Sequence, residues 1–415
     1  MLSLKLAFRN VLRQRRRTVL TIMSMTAGYL LCAFALSMQL GSYGGSIEFF
    51  VRDHTTHIQI HKSDYLKRPK LQKTIRDPAS IVNLLETDPD VASVTSRVFA
   101  PALAYSTDQS TTANIQGVDV ERERATTTLA DKVTRGRYFN RTANPDGYFE
   151  AMIGHGVADL LGISVGAELI LISSGADGSI ANDVFLVSGI IGTRRSADRL
   201  NVFLPLEAAQ QFLSMGPRVH QIAIMLNANK GTIEYASQLQ QRMDSATAGG
   251  PDEELTASPW QHVKEAFYKT MVADLQSMYF SLGVIVFIVC IGVLNTVLMS
   301  VLERTREFGV LRAIGTKPLH ITRMIFLENF ILSSMSCVLG FALALPLVYW
   351  LSSIGISLPE PVEVGGISMS HLKGELSARI FTTPLLLIVI TALIVCIPPG
   401  LRAARVSPIQ ALGSH

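Results

Sequence analysis

Charge is scarce in this chain of 415 residues: Asp, Glu, Lys and Arg make up 17% against 48% hydrophobic residues, and the mean hydropathy is +0.31. So oily a composition disfavours a single compact water-soluble enzyme. The charges also nearly cancel, 37 Lys and Arg against 33 Asp and Glu, so the molecule as a whole offers no basic footprint for nucleic acid. Cysteine is equally sparse. Cys32, Cys290, Cys337 and Cys396 all lie in apolar runs and none in the polar middle, which excludes a disulfide framework there and marks them as small buried hydrophobes. No G-x-x-x-x-G-K-[ST] loop occurs, so nucleotide phosphates are not bound by that route, and any ATP is hydrolysed by another subunit.

Catalytic signals fail on context. Gly162-Ile163-Ser164-Val165-Gly166 has the G-x-S-x-G form, but a nucleophile elbow needs a strand before the turn and a helix after it. Here the predicted order is reversed, so the segment is a turn. His54, His57 and His61 invite a metal reading. On a strand, His57, Gln59 and His61 share one face and Ile58 and Ile60 the other, and a solvated strand face explains them without a metal.

What the chain has instead is long apolar runs. A helix needs about 20 residues to cross about 30 Å of hydrocarbon. Four stretches qualify: 18–40, 279–302, 321–350 and 380–401. Lys and Arg near span ends stay on the cytoplasmic side. Lys5, Arg9, Arg13 and Arg15 to Arg17 precede the first span, Arg304, Arg306, Arg312, Lys317 and Arg323 surround the second-to-third connection, and Arg402 and Arg405 follow the last. These positions place 1–17, 303–320 and 402–415 in the cytoplasm and leave 41–278 and 351–379 outside, net acidic. A cleaved secretory signal ending at Ala33-Phe34-Ala35 is the rival for the start, disfavoured because the apolar run continues to Leu40. Lys5, Arg9 and Arg13 opposite Leu4 and Phe8 suit either an amphipathic helix on the inner leaflet or an ordinary basic flank.

Residues 41–278 alternate β-branched runs with amphipathic stretches, predicting an α+β domain. Strands are expected at 91–105, 111–118, 151–153, 168–173, 183–190, 202–204 and 221–226, helices at 78–86, 157–161, 206–213 and 233–243, and a loop at 246–253. Ser258 and Gln261 predict a capping box with Pro259 at the first helical position, opening a stalk that runs without proline into the second span. A break near Ser277 is the alternative. The fold class is therefore an α+β membrane protein, four transmembrane helices with a large extracytoplasmic α+β domain between the first and second.

Within the spans, Ser336, Gly340 and Ala344 recur every fourth residue, a small-residue stripe for close approach of another helix. Glu328 is costly in a span unless it pairs, and Asn295 is its candidate partner. A structural role is favoured over a proton relay. The connection Glu303-Arg304-Thr305-Arg306-Glu307-Phe308-Gly309-Val310-Leu311-Arg312-Ala313-Ile314-Gly315 groups Phe308, Leu311 and Ile314 as an apolar stripe flanked by Arg304, Arg306, Glu307 and Arg312. Such a stripe suits a partner's groove, with the chain's own membrane surface as the alternative.

The segments LAFRNVLRQRRRTVLT, NTVLMSVLERTREFGVLRAIGTKPLHITRMIFLEN and GLRAARVSPIQALG, set in one span, a large outer domain and three further spans, strongly resemble the permeases of macrolide-exporter and lipoprotein-releasing ABC transporters, the superfamily that includes FtsX. The resemblance implies an inner-membrane half-transporter, a homodimer or heterodimer working with two copies of a cytoplasmic ATPase that uses ATP and Mg, no cofactor being held by this chain. It implies that Glu303 to Ile314 couples to that ATPase and that closure is transmitted to the outer domains. Lipoproteins or other lipid-like molecules are the expected cargo and a lipoprotein or periplasmic protein a further partner. Peptide or drug efflux is the runner-up, and an FtsX-like signal transmitter the alternative. The chain's start directly in the permease favours the lipoprotein-releasing organisation. A membrane-embedded hydrolase lacks any catalytic constellation.

Overall fold

The computed structural model of the protein describes residues 15–227, 231–247, 254–364 and 367–405. The amphipathic segment before Arg15, most of the expected loop at 246–253 and the tail beyond Arg405 lie outside the described residues. The chain divides into two compact units. A helical unit comprises residues 1–45, 271–360 and 370–415, and a sheet unit comprises 46–270 and 361–369.

In the helical unit, four helices are long and apolar enough to cross a membrane. The first is Arg15–Phe50, longer at its far end than the apolar run alone, and the second is Glu265–Glu303, unbroken through Ser277. The third is Pro318–Ser353. The fourth is split at Cys396 into Ala378–Val395 and Ile397–Ala404, because Pro398 and Pro399 have no N–H to continue the ladder. The expected outer loop 351–379 contains two strands, Ile356–Val364 and Ile367–Leu372, that pair as a small sheet.

The small-residue stripe packs where its composition directs. Ser336 and Ala344 are fully buried, and a Cβ built on Gly340 would stand 2.7 Å from Cγ of Tyr29. Only glycine admits that ring between the first and third helices. Thr26 donates to the Ser336 carbonyl at 3.2 Å beside it, and the Tyr29 hydroxyl donates to the Phe381 carbonyl at 2.9 Å, tying in the fourth helix.

The sheet unit is built on one 10-stranded sheet. Its strands are β1 (Ile58–Lys62), β2 (Val91–Tyr105), β3 (Ser110–Val118), β4 (Val133–Gly136), β5 (Glu150–Gly154), β6 (Glu168–Ser174), β7 (Ile180–Ile191), β8 (Asn201–Pro205), β9 (Gln221–Leu226) and β10 (Leu255–Pro259). The pairings β2-β3-β8-β5-β7 return to β2 through β6, closing a ring, while β10-β1-β9 attaches to the other edge of β2 as a wing. Strand β2 is long enough to serve both. Residues Val91 to Arg97 pair with β9 and Leu103 to Tyr105 with β6, and Pro101 falls in the interval between them, where its missing N–H costs no ladder bond on that side. The Phe99 N–H in the same interval is taken by His220 Nδ1 at 3.0 Å.

Helices Pro78–Glu86, His155–Leu161, Leu206–Phe212 and Thr232–Thr247 cover this sheet, and their apolar faces join one core with Ile58, Val98, Phe185 and Ile224. Asp77 caps the first of them, accepting from Ser80 N at 3.3 Å, with Pro78 at its first position. Gly162 and Gly166 both lie at positive φ, between helix His155–Leu161 and β6, so G-x-S-x-G is a turn.

Two expectations are corrected. The capping box at Ser258 does not form: Ser258 is in β10, Gln261 is hydrogen-bonded to Thr232, and helix Trp260–Val263 stops at Lys264 before the long helix begins at Glu265. The strand wins because β10 pairs with β1 along its whole length. Nor is the His57, Gln59, His61 face solvated. Gln59 and His61 are buried and His57 half-buried, because β1 is paired on both sides and Tyr65 stacks between the rings of His61 and His220 at 5.2 and 5.3 Å. Their hydrogen bonds run chiefly to the surrounding backbone. His61 Nδ1 donates to the His220 carbonyl at 3.1 Å, and Gln59 Nε2 donates to the Thr55 carbonyl at 2.8 Å.

Burial pulls both His61 and His220 down to about 4, opposed by the hydrogen bonds they donate to the His220 and Leu71 carbonyls and helped by the positive charges of Arg97 and Arg218 respectively. Both are therefore neutral in the folded protein, while in the unfolded chain they titrate near 6.5. Below that value the unfolded state takes up protons that the folded state refuses, so stability falls with pH until about 4. Each histidine is expected to remove about 1.4 kcal/mol per pH unit in that window. Denaturant unfolding followed by Trp260 fluorescence should show a lower midpoint at pH 5 than at pH 7, and equal midpoints would refute the buried neutral pair.

Candidate functional site: the loop between the second and third long helices

Helix Thr305–Ala313 is separated from the second long helix by Arg304, whose backbone leaves helical geometry. It ends at Gly315, which sits at φ +94, a conformation that glycine adopts without strain. The turn is closed by Gly315 N–H to the Arg312 carbonyl and Thr316 N–H to the Leu311 carbonyl, both 3.0 Å. Pro318 then starts the third helix at its first turn, where its missing N–H is harmless.

The expected apolar stripe is not one surface. Phe308 is 1% exposed and packs in the helical core, Leu311 and Arg312 are half-buried, and Ile314 is 78% exposed. Six residues at 3.6 per turn put Phe308 and Ile314 on different faces. The outward face instead carries Arg306, Val310 and Ile314 at successive i, i+4 positions, with Glu307 and Ala313 beside them and Leu319 exposed just beyond. Val310 and Leu319 escaped the sequence reading. The spacing that found Ile314 also fits Val310, but periodicity does not say which face is inward.

Behind this helix lies an ion-pair chain. Arg304 Nη1 donates to both carboxylate oxygens of Glu328 at 3.0 Å, its Nε donates to Glu307 at 2.9 Å, and its guanidinium lies 5.2 Å from the Phe308 ring. One arginine thus joins the loop helix to the third long helix. Arg17, another residue not anticipated, donates to Glu303 at 3.2 Å. Asn295 is not the partner of Glu328. It is exposed, because the inward face of its helix is Val293, Val297 and Val301 and a residue two positions along points elsewhere. Arg304 is the partner that a carboxylate at this position needs.

These groups line a cavity of about 280 Å³ among the first, second and third long helices, which also takes in Thr21, Thr296, Ser300 and Asn329. Among the described residues no group of three or more His, Cys, Asp or Glu could hold a metal ion.

Comparison with known proteins covers most of the chain. The family described as MacB-like periplasmic core domain matches residues 18–242, and that described as FtsX-like permease C-terminal matches residues 279–408. The macrolide export ATP-binding/permease protein MacB of Shewanella oneidensis is 24% identical over 429 residues, 99% of this chain and 60% of the relative. The lipoprotein-releasing system transmembrane protein LolE of Haemophilus influenzae is 20% identical over 355 residues, 83% of this chain and 82% of the relative. Among solved structures, the periplasmic region of MacB from Actinobacillus actinomycetemcomitans is 15% identical, covering 53% of this chain and 96% of that one with a TM-score of 0.39. The chain spans about three fifths of the length of the MacB relatives it matches.

Proposed function

Because the chain belongs to the permease family that joins a MacB-like periplasmic core domain to an FtsX-like C-terminal region, we propose that it is the membrane subunit of an ATP-driven transporter of the cell envelope. It works with a second permease copy and with cytoplasmic ATPase subunits that hold ATP and Mg. It sits in the inner membrane with both termini and the loop helix in the cytoplasm and the sheet unit in the periplasm, the arrangement that Arg15 to Arg17, Arg304 to Arg323 and Arg402 and Arg405 favour.

The observation that carries this reading is the outward face Arg306, Val310 and Ile314 backed by the Arg304 fork. An apolar strip rimmed by charge suits a groove on the ATPase. The Arg304 to Glu328 fork passes a push on that helix directly to the third span. Cargo is moved by leverage on the periplasmic side, and lipoproteins or other lipid-like molecules are the proposed class, supported by the likeness to LolE along most of both chains. The MacB relatives, matched over 99% of this chain, support efflux of a small compound as the second reading.

Ile314→Asp and Val310→Asp are expected to cut co-purification with the cognate ATPase at least tenfold, about 1.4 kcal/mol or more, while leaving the permease inserted with an unchanged melting point. Co-purification at the wild-type level would remove the coupling assignment.

A further inference from the structure

The first long helix contains a weak point that nothing in its own packing requires. Residues 41–46 read Gly-Ser-Tyr-Gly-Gly-Ser inside the helix Arg15–Phe50. Glycine in a helix interior is about four- to fivefold less favourable than alanine, so each one needs a reason. Gly28 and Gly41 have one: an added Cβ would run into the Val289 side chain at the first and the Lys373 carbonyl at the second. Gly44 and Gly45 do not. Both are exposed, and a Cβ on either would meet nothing within 4 Å.

The surroundings of this pair suit bending. Sharp helix bends concentrate at Gly/Ser pairs and at π-turns. Here Gly41-Ser42 and Gly45-Ser46 are followed by the π-helix Val51–Thr55. The Ser42 hydroxyl donates to the Met38 carbonyl at 2.8 Å, a side-chain bond that loosens the helix ladder. Contacts hold the helix on either side of the glycines: the Tyr43 hydroxyl donates to Asp274, and the Phe50 ring packs edge-on against Phe267 at 4.7 Å, with Lys264 5.8 Å from its face. These ties confine a bend to residues 44–49. Along the chain, one compact unit gives way to the other at Gly45 and Ser46, and again at Thr270 and Met271 in the second long helix. That second passage has neither glycine nor proline from 265 to 282. One connection is soft and the other stiff.

We propose that Gly44 and Gly45 form a hinge, at which the first long helix bends during the transport cycle while the second carries the push. The hinge rests on the leverage reading given above and adds where the leverage is taken up.

The test compares the full-length wild type with the Gly44→Ala, Gly45→Ala double variant, which fits the open space and stiffens the helix. Spin labels are placed through Leu31→Cys in the helical unit and Leu160→Cys in the sheet unit, both exposed, with the four native cysteines changed to alanine and labelled chains diluted into unlabelled protein. The distance distribution from pulsed electron resonance should be at least twice as broad in the wild type as in the double variant. The double variant should melt no lower than the wild type and bind the cognate ATPase equally, yet ATP turnover by the complex should fall severalfold. Equal widths, or narrowing with wild-type turnover, would overturn the hinge. Loss of the wild-type oligomeric mass from the double variant would overturn it too, by assigning the glycines to packing against a second copy. If Ile314→Asp left ATPase binding intact while the double alanine still narrowed the distribution, the coupling assignment would fall and the hinge would stand.

Discussion

Arg97→Ala is expected to destabilise the protein by about 3–5 kcal/mol, the usual cost of removing one partner from a buried ion pair. The Arg97 and Glu123 side chains are 2% and 1% exposed. Arg97 Nη2 donates to Glu123 Oε1 at 2.7 Å and Nε donates to Oε2 at 3.1 Å, while the hydroxyls of Thr95 and Thr127 donate to the same carboxylate at 2.9 and 3.0 Å. Removing the guanidinium leaves a carboxylate in the core with only two neutral donors. Arg97 also lies at the last residue of β2 that pairs with β9, and its carbonyl accepts from His220 N–H at 3.0 Å, so the damage spreads to the junction of ring and wing. Replacing the pair together, Arg97→Met with Glu123→Leu, should restore much of the loss because no charge is then stranded. Thermal unfolding of the two variants beside the wild type decides this. A single variant that melts with the wild type would show that the pair is not buried in solution.

Phe308→Asp is expected to be the most damaging change in the helical unit. It removes a fully buried ring, worth about 3–5 kcal/mol in comparable truncations, and puts a carboxylate in its place. It also strips the cation–π contact from Arg304 and sets a third acid beside Glu307 and Glu328. The protein should fail to accumulate, or should elute as aggregate in size-exclusion chromatography. Ile314→Asp, only six residues away, should accumulate normally. A Phe308→Asp variant as abundant and monodisperse as Ile314→Asp would mean that the loop helix presents a different face in solution.

Much of the sheet unit was legible locally. The β-branched run in 91–105 and the alternation in 221–226 mark their strands because period 2 and side-chain type agree there. Ring closure was not legible, since β6 meets β2 through contacts distant in sequence that no window captures. The burial of His61 was hidden for a related reason. A polar side chain reads as solvent-facing unless its partners, here His220 and Tyr65, are known to converge on it. In the membrane part, Glu328 stood out as a lone charge and its need for a partner was evident, but Arg304 had to be brought to it by the bend between two helices.

The sharing of β2 between ring and wing has a consequence for anyone dissecting this molecule. Neither half can be excised as an autonomous piece, because any boundary that frees the wing takes a stave from the barrel-like half, or leaves β9 without its neighbour. Insertions and circular-permutation openings belong instead at the exposed tip 106–109, where the chain reverses between β2 and β3 and both halves keep the strand they hold in common.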